Sequence, residues 1–159
     1  MAVTATTSND CVIAPAVGAA DLDAVRRLFC AYAESMHYAV CFRSFEQELA
    51  RLPGNYAPPQ GALLLAKRAG EDVGVVAVKP LGQGRAEMKR LYVVETARGL
   101  GLGRALARAA IAAARAAGHE ELALETLPGM TAARALYASL GFRPAVSAAQ
   151  GIDRFVLTL

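Results

Sequence analysis

Apolar residues recur along this chain first at helical spacing and then at every second position. Leu22, Val25, Leu28, Phe29 and Tyr32 fall on one helical stripe behind Asp21, a good N-cap. "SFEQELARL" repeats the logic. Ser44 with Gln47 reads as a capping box, Phe45, Leu49 and Leu52 form the apolar face, and Pro53-Gly54 stops the helix. Then the period changes. Ala62–Ala66 and Val73–Val78 are β-type runs on either side of a Gly70-Glu71-Asp72 turn, and "PLGQGR" turns the chain again into a third strand, "AEMKRLYVV". Leu102–Ala117 returns to helical spacing, with Leu102, Leu106 and Ile111 inward, Arg104, Arg108 and Arg115 outward, and Gly118 as C-cap. "ELALET" is a strand, "MTAARALYASL" a helix capped by Gly141, and Phe142–Val146 and Ile152–Leu159 are closing strands. With one opening strand the order is β-α-α-β-β-β-α-β-α-β-β, a mixed sheet with helices on its faces.

The totals narrow the class of protein. A chain of 159 residues is one domain by length, and 19% charged residues with these patterns describe a soluble globular protein. Met1–Ser8 lacks a basic region and reads, with residue 9, as a frayed leader rather than a signal peptide; no run approaches the roughly 18 apolar residues of a membrane span. Seventeen basic and 14 acidic residues leave a formal charge of +3, too small and scattered for a nucleic-acid partner. Cys11, Cys30 and Cys41 sit in apolar surroundings and read as reduced thiols of a cytoplasmic protein, Cys30 and Cys41 as small buried hydrophobes. No Cys-x-x-Cys spacing occurs and the histidines are His37 and His119, which argues against a structural zinc.

The stretch "RGLGLGRALA", Arg98 to Ala107, sets glycines directly ahead of the longest helix pattern. A helix start leaves unpaired N–H groups and a partial positive charge, and glycines let a ligand approach that backbone closely. Together they form a phosphate cradle, to which Arg98 and Arg104 could add charge-assisted bonds. A P-loop is ruled out because no lysine follows the glycines, and the last glycine of a dinucleotide fingerprint is missing. The pattern that fits is R-x-x-G-x-G, Arg98-x-x-Gly101-x-Gly103.

With that loop, the chain resembles the GNAT N-acetyltransferases. "LYVVETARGLGLGRAL" is similar to their pyrophosphate-binding motif and "MTAARALYASLGF" to their tyrosine-bearing helix; with the strand between, the likeness covers residues 86–143. The resemblance implies an α/β (α+β) fold, a mixed, mostly antiparallel central sheet flanked by helices, whose third and fourth long strands splay apart to admit acetyl-CoA. By resemblance the pyrophosphate lies on the backbone of Gly99, Leu100, Gly101, Leu102, Gly103 and Arg104, with Arg98 beside it. The pantetheine arm pairs with Leu91, Tyr92 and Val93, and a backbone N–H near Val93 polarises the thioester carbonyl. Met130 and Ala133 complete the cofactor set. Many members carry asparagine where this chain has Met130, which cannot make the same hydrogen bonds.

The resemblance also implies direct attack by the amine in a ternary complex, without a cysteine acyl-enzyme and without a metal. Tyr137 matches the family's tyrosine near the sulfur and is the proton donor to the thiolate, or else a core tyrosine. Glu87 is the candidate base, or else pairs with Lys89 or Arg90; strict alternation would put it on the face of Leu91 and Val93, unless a bulge resets the strand. Glu34, His37, Tyr38 and Glu125 are candidate acceptor contacts, in a pocket formed by Ala31–Gly61 and the last hairpin. The expected acceptor is a small-molecule primary amine. The alternatives are a protein or peptide amine, or a non-catalytic acyl-CoA sensor. No membrane partner is expected. A homodimer is common in the family, and no residue pattern here decides it.

Overall fold

A computed structural model describes residues 5–7, 10–36, 42–147 and 149–159 of the protein. In chain order its elements are β1 (Ala5–Thr7), β2 (Cys11–Pro15), α1 (Gly18–Ser35), α2 (Phe42–Ala50), β3 (Ala62–Arg68), β4 (Glu71–Gly82), β5 (Arg85–Val93), α3 (Leu102–Ala116), β6 (Glu121–Thr126), α4 (Thr131–Ser139), β7 (Arg143–Ala145) and β8 (Asp153–Thr158), with short 3-10 turns at Gly54–Tyr56 and Glu95–Ala97. The eight strands form one sheet in the order β1-β2-β3-β4-β5-β6-β8-β7, antiparallel at every step except β5-β6.

Both central hairpins turn on two residues. Ala69 and Gly70, then Gln83 and Gly84, all have positive φ, the conformation that matches the twist of the strands on either side. The first turn therefore lies one residue earlier than the sequence pattern suggested, and Glu71 and Asp72 belong to β4. Strict alternation sends Leu63, Leu65, Val75 and Ala77 to one face and Leu64, Ala66, Val76 and Val78 to the other. Both faces are buried because helices cover both. α1 and α2 pack on the first through Val25, Phe29 and Phe45, and α3 and α4 on the second through Leu106, Ile111 and Tyr137. Gly74 permits the close seat of α3, since a Cβ there would stand 2.8 Å from Leu106 Cδ1.

The departure from a regular sheet lies at its centre. β5 and β6 pair only at Arg85↔Glu121, Ala86↔Leu122 and Glu87↔Ala123. Beyond Glu87 each strand keeps its outer partner, β5 with β4 as far as Val93 and β6 with β8 as far as Thr126, while the two diverge. This is the splay expected of the third and fourth long strands.

Several local expectations need correction. Residues 5–7, read as part of a frayed leader, pair in register with Cys11–Ile13. Asp21 is not the N-cap of α1, which starts at Gly18 behind Val17; its carboxylate reaches back from within the first turn to accept the Val17 N–H at 2.9 Å and the Lys67 ammonium at 3.0 Å. These bonds hold its pKa below the usual carboxylate value, the backbone bond first and then Lys67. Ser44 stands inside α2, which begins at Phe42, so Ser44 and Gln47 form no capping box. Cys30 is exposed rather than buried, while Cys41 lies outside the described residues. Among the described residues no helix is long and apolar enough to cross a membrane.

Gly61 joins the Gly54–Tyr56 turn to β3 with no room for a side chain. A Cβ there would lie 2.6 Å from both the Asn55 carbonyl oxygen and the Tyr56 carbonyl carbon, which no rotamer change relieves. Gly61→Ala should destabilise the protein by about 1–3 kcal/mol. Calorimetric melting should show this as a Tm lowered by about 3–10 °C.

Candidate active site

The loop ahead of α3 has the form of a ligand cradle. Gly99 and Gly101 both lie in the left-handed region, at φ +81° and +78°, and Gly101 is the N-cap of α3. No heavy atom lies within 4 Å of where a Cβ would stand at either glycine, so open space meets bare backbone at a helix start. Leu102 anchors the helix in the core beneath, Leu100 and Gly103 flank the turn, and Arg104 is half-buried one turn in. Arg98 also serves the loop's structure. Its Nε donates to the Val93 carbonyl at 3.0 Å, and its guanidinium lies 5.7 Å from the Tyr92 ring centroid, which ties the loop back to β5.

β5 changes face on its way into the gap. Lys89 pairs with Ala77 and Tyr92 with Val75, so three steps of β5 match two of β4. The extra residue makes a bulge at Arg90, whose φ is +61°. Before it Ala86 and Met88 face the α3 core; after it Leu91 and Val93 do. Glu87 and Lys89 therefore point to the α1/α2 side, together with Tyr92. That removes the conflict over Glu87.

On this α1/α2 side a cavity of about 610 Å³ opens beside the splay. Its walls are Tyr32 and Met36 at the end of α1, Phe45 and Glu48 of α2, Arg51, the Gly54–Tyr56 turn, Lys79, Glu87 through Arg90 of β5, and Glu125, Thr126, Leu127, Met130 and Ile152. The expected pocket, Ala31–Gly61 with the last hairpin, corresponds to most of this lining. Glu34 does not belong to it: it is exposed, four residues from Cys30, whose thiol is pushed up by burial and then by the Glu34 charge. His37 and Tyr38 lie outside the described residues. Glu125 lines the cavity with Arg154 Nη1 3.8 Å from its Oε1. Met130 also faces it, its sulfur accepting the Thr126 hydroxyl at 3.5 Å, whereas Ala133 packs half-buried on the main core.

Glu87 forms no ion pair with Lys89 or Arg90 among the described residues, because Arg90 is engaged elsewhere. Its Nε donates to Glu48 Oε2 at 2.9 Å and its Nη2 to Glu48 Oε1 at 3.2 Å; Tyr56 donates its hydroxyl to the same Oε1 at 2.7 Å. The guanidinium lies 5.4 Å from the Phe45 ring centroid. Burial works against the charge on Arg90, yet Glu48 outweighs it and raises the pKa. Burial and then Glu48 hold the Tyr56 hydroxyl far above its ordinary value. Tyr137 is buried against Phe142, ring centroids 5.9 Å apart, and burial followed by the field of Tyr32 raises its pKa well above the usual phenol value. Tyr32 lines the cavity. Among the described residues no three His, Cys, Asp or Glu side chains cluster as metal ligands would.

The sequence model of the Acetyltransferase (GNAT) family matches residues 22–142. The chain belongs to that family. An uncharacterised N-acetyltransferase of Schizosaccharomyces pombe is 38% identical to this GNAT chain over 125 residues, 77% of each. An acetyltransferase of Streptococcus agalactiae superposes at a TM-score of 0.79 with 17% identity, over 94% of this chain and 99% of its own. The PaiA N-acetyltransferase of Thermoplasma acidophilum, solved in complex with coenzyme A, does so at 0.72 with 15% identity, over 94% and 99%. This chain is therefore an N-acetyltransferase that uses an acyl-CoA.

The sequence pattern did not single out Glu48, Tyr56 or Tyr32 as site residues and offered Arg90 only as a partner for Glu87. The one local signal was Glu48 beside Phe45 on a short helix, facing the sheet instead of solvent. Glu48→Gln should leave Arg90 as an uncompensated buried charge and destabilise this GNAT domain by about 3–5 kcal/mol. The Tm should fall by about 6–15 °C. The double variant R90Q/E48Q, which removes both charges, should melt closer to the wild type than Glu48→Gln does.

Proposed function

We propose that this N-acetyltransferase moves the acetyl group of acetyl-CoA to the primary amine of a small molecule, by direct attack with both substrates bound. The observation that carries the reading is a cavity of about 610 Å³ on one side of the splay, sharing Glu87 and Arg90 with the strand that enters it. That volume lies within the range of roughly 300–1,000 Å³ typical of small-molecule sites. The donor side fits a diphosphate, since open space meets backbone N–H groups at Gly99 and Gly101. The cytoplasm is the proposed compartment.

Acetyl-CoA, when bound, supplies the activated thioester acyl group. The chain's residues then have three tasks. The amides from Gly99 to Arg104 hold the pyrophosphate, and the open edge of β5 at Leu91–Val93 orients the extended arm. Glu87, on the cavity wall and without an ion-pair partner among the described residues, is placed to take a proton from the incoming ammonium, directly or through water. Tyr137 holds its proton throughout the neutral range because burial disfavours the phenolate. Its hydroxyl first offers the leaving sulfur a hydrogen bond. A thiol is ordinarily the stronger acid, so full transfer must be coupled to return of the proton released as the C–N bond forms. Starting from the ammonium, the step yields an N-acetyl amine, a free thiol and one proton: the proton lost as the C–N bond forms ends on the thiol, and the one taken by Glu87 passes to solvent.

Calorimetric titration with acetyl-CoA should show micromolar binding by the wild type, lost in Gly101→Glu, which fills the cradle and adds a negative charge. No binding by the wild type would end the acyl-transfer reading. Tyr137→Phe keeps the ring against Phe142 and should lower kcat by about tenfold or more at unchanged coenzyme affinity. Wild-type turnover in that variant would remove the role.

A further inference from the structure

Arg90 is a nearly buried cation on the wall of the acceptor cavity, and only one edge of it is paired with a carboxylate. Glu48 takes Nε and Nη2 side-on. Tyr56 donates its hydroxyl proton to Glu48 and turns its oxygen, a neutral acceptor, toward the guanidinium. A guanidinium is planar with donors along two edges, so this pairing leaves the end-on edge, formed by Nη1 and Nη2, without an anionic partner among the described residues. The side chain is 11% exposed and lines the cavity. The planar partner that matches two parallel N–H groups is a carboxylate.

The fork is also held still. Phe45 lies against its face, Glu48 fixes its side, and Tyr56 fixes Glu48. The backbone of Arg90 is in the left-handed region at φ +61°, a conformation that a long side chain rarely adopts and that persists where the surroundings impose it. The bulge that imposes it swings this one side chain into the α1/α2 cavity. Glu87 stands at the last paired position before the splay, with Lys79 opposite it on β4, and Lys89 and Arg90 lie two and three residues further along β5.

We propose that the acceptor is an α-amino acid, its carboxylate received by the end-on edge of Arg90 and its amine turned toward Glu87. The apolar walls at Phe45, Met36 and Ile152 then take its side chain. This rests on the amine-transfer reading above and adds the second functional group of the substrate. Arg90 acts by binding and orienting, with no proton to give at neutral pH.

The test is a titration of the purified protein, saturated with coenzyme A, with the twenty L-amino acids and the carboxamide of each. The wild type should bind at least one acid about tenfold or more tighter than its amide, the scale of a charge-assisted pair. R90K keeps a cation opposite Glu48 but has no fork, and there the preference should shrink to about threefold or less. Because Arg90→Gln alone leaves Glu48 uncompensated, R90Q/E48Q serves as the second variant and should show the same loss with its melting curve as the folding check. Equal binding of acid and amide by the wild type, binding of no acid, or a preference that survives in both variants would overturn the carboxylate site. Transfer is read separately, as the mass of N-acetylated product with acetyl-CoA present. Amides acetylated as well as acids would sink the carboxylate site and leave amine transfer standing. A preference in binding that depends on Arg90, with no product from any amine, would uphold the site and sink amine transfer.

Discussion

The parting of two neighbouring strands governs how the rest of this molecule is arranged, because a sheet interior normally pairs every backbone N–H and C=O and an orphan there costs about 1–3 kcal/mol. β5 and β6 leave each other after three paired residues and still remain ordered, because β4 and β8 hold their outer edges. From Met88 onward β5 has no strand on its β6 side. The resulting edge can satisfy an amide-bearing ligand without being open to solvent along its length, and Arg98 already secures the Val93 carbonyl at its far end. The glycine turn then begins α3 at the mouth of the same gap. One topological interruption thus aligns an extended edge with a helix start.

The bulge at Arg90 is the second constraint. Without it, the alternation that buries Ala86 and Met88 in the α3 core would carry Arg90 into that core as well and turn Leu91 and Val93 toward the cavity. With it, Leu91 and Val93 seal the α3 side while Glu87, Lys89, Arg90 and Tyr92 serve the other. The arginine at the bulge is compensated by a glutamate 42 residues earlier in the chain, and that glutamate by a tyrosine eight residues after it. α2 is consequently attached to the sheet by a polar bond as well as by Phe45 and Leu49.

The parts of this arrangement that were legible in the sequence are those encoded locally. Gly99 and Gly101 announce a backbone site because positive φ near a helix start leaves glycine few alternatives, and the buried stripe of α3 follows from its spacing. The splay came from family resemblance, not from periodicity, which reports faces and is silent on which strands part. Two caps were misplaced for a common reason. Asp21 and Ser44 are good capping residues, but α1 starts at Gly18 and α2 at Phe42, ahead of both, and Asp21 finds its partners at Val17 and Lys67 instead. The Glu48–Arg90–Tyr56 group was invisible because its contacts join residues far apart in the chain, and nothing in "EMKRLYV" marks Arg90 as the residue that turns inward. Glu34 was misassigned by one helical face, since Tyr32 and Met36 are the α1 positions that reach the cavity.

The two cores flanking the sheet are separate sets of side chains and, among the described residues, Val94 is the half-buried residue packed against both. The α3/α4 side carries the glycine turn and the α1/α2 side most of the cavity wall. The sheet therefore works as a party wall: substitutions in α1, α2 and the Gly54–Tyr56 turn can reshape the room on one side while the packing of α3 and α4 on the other stays as it is.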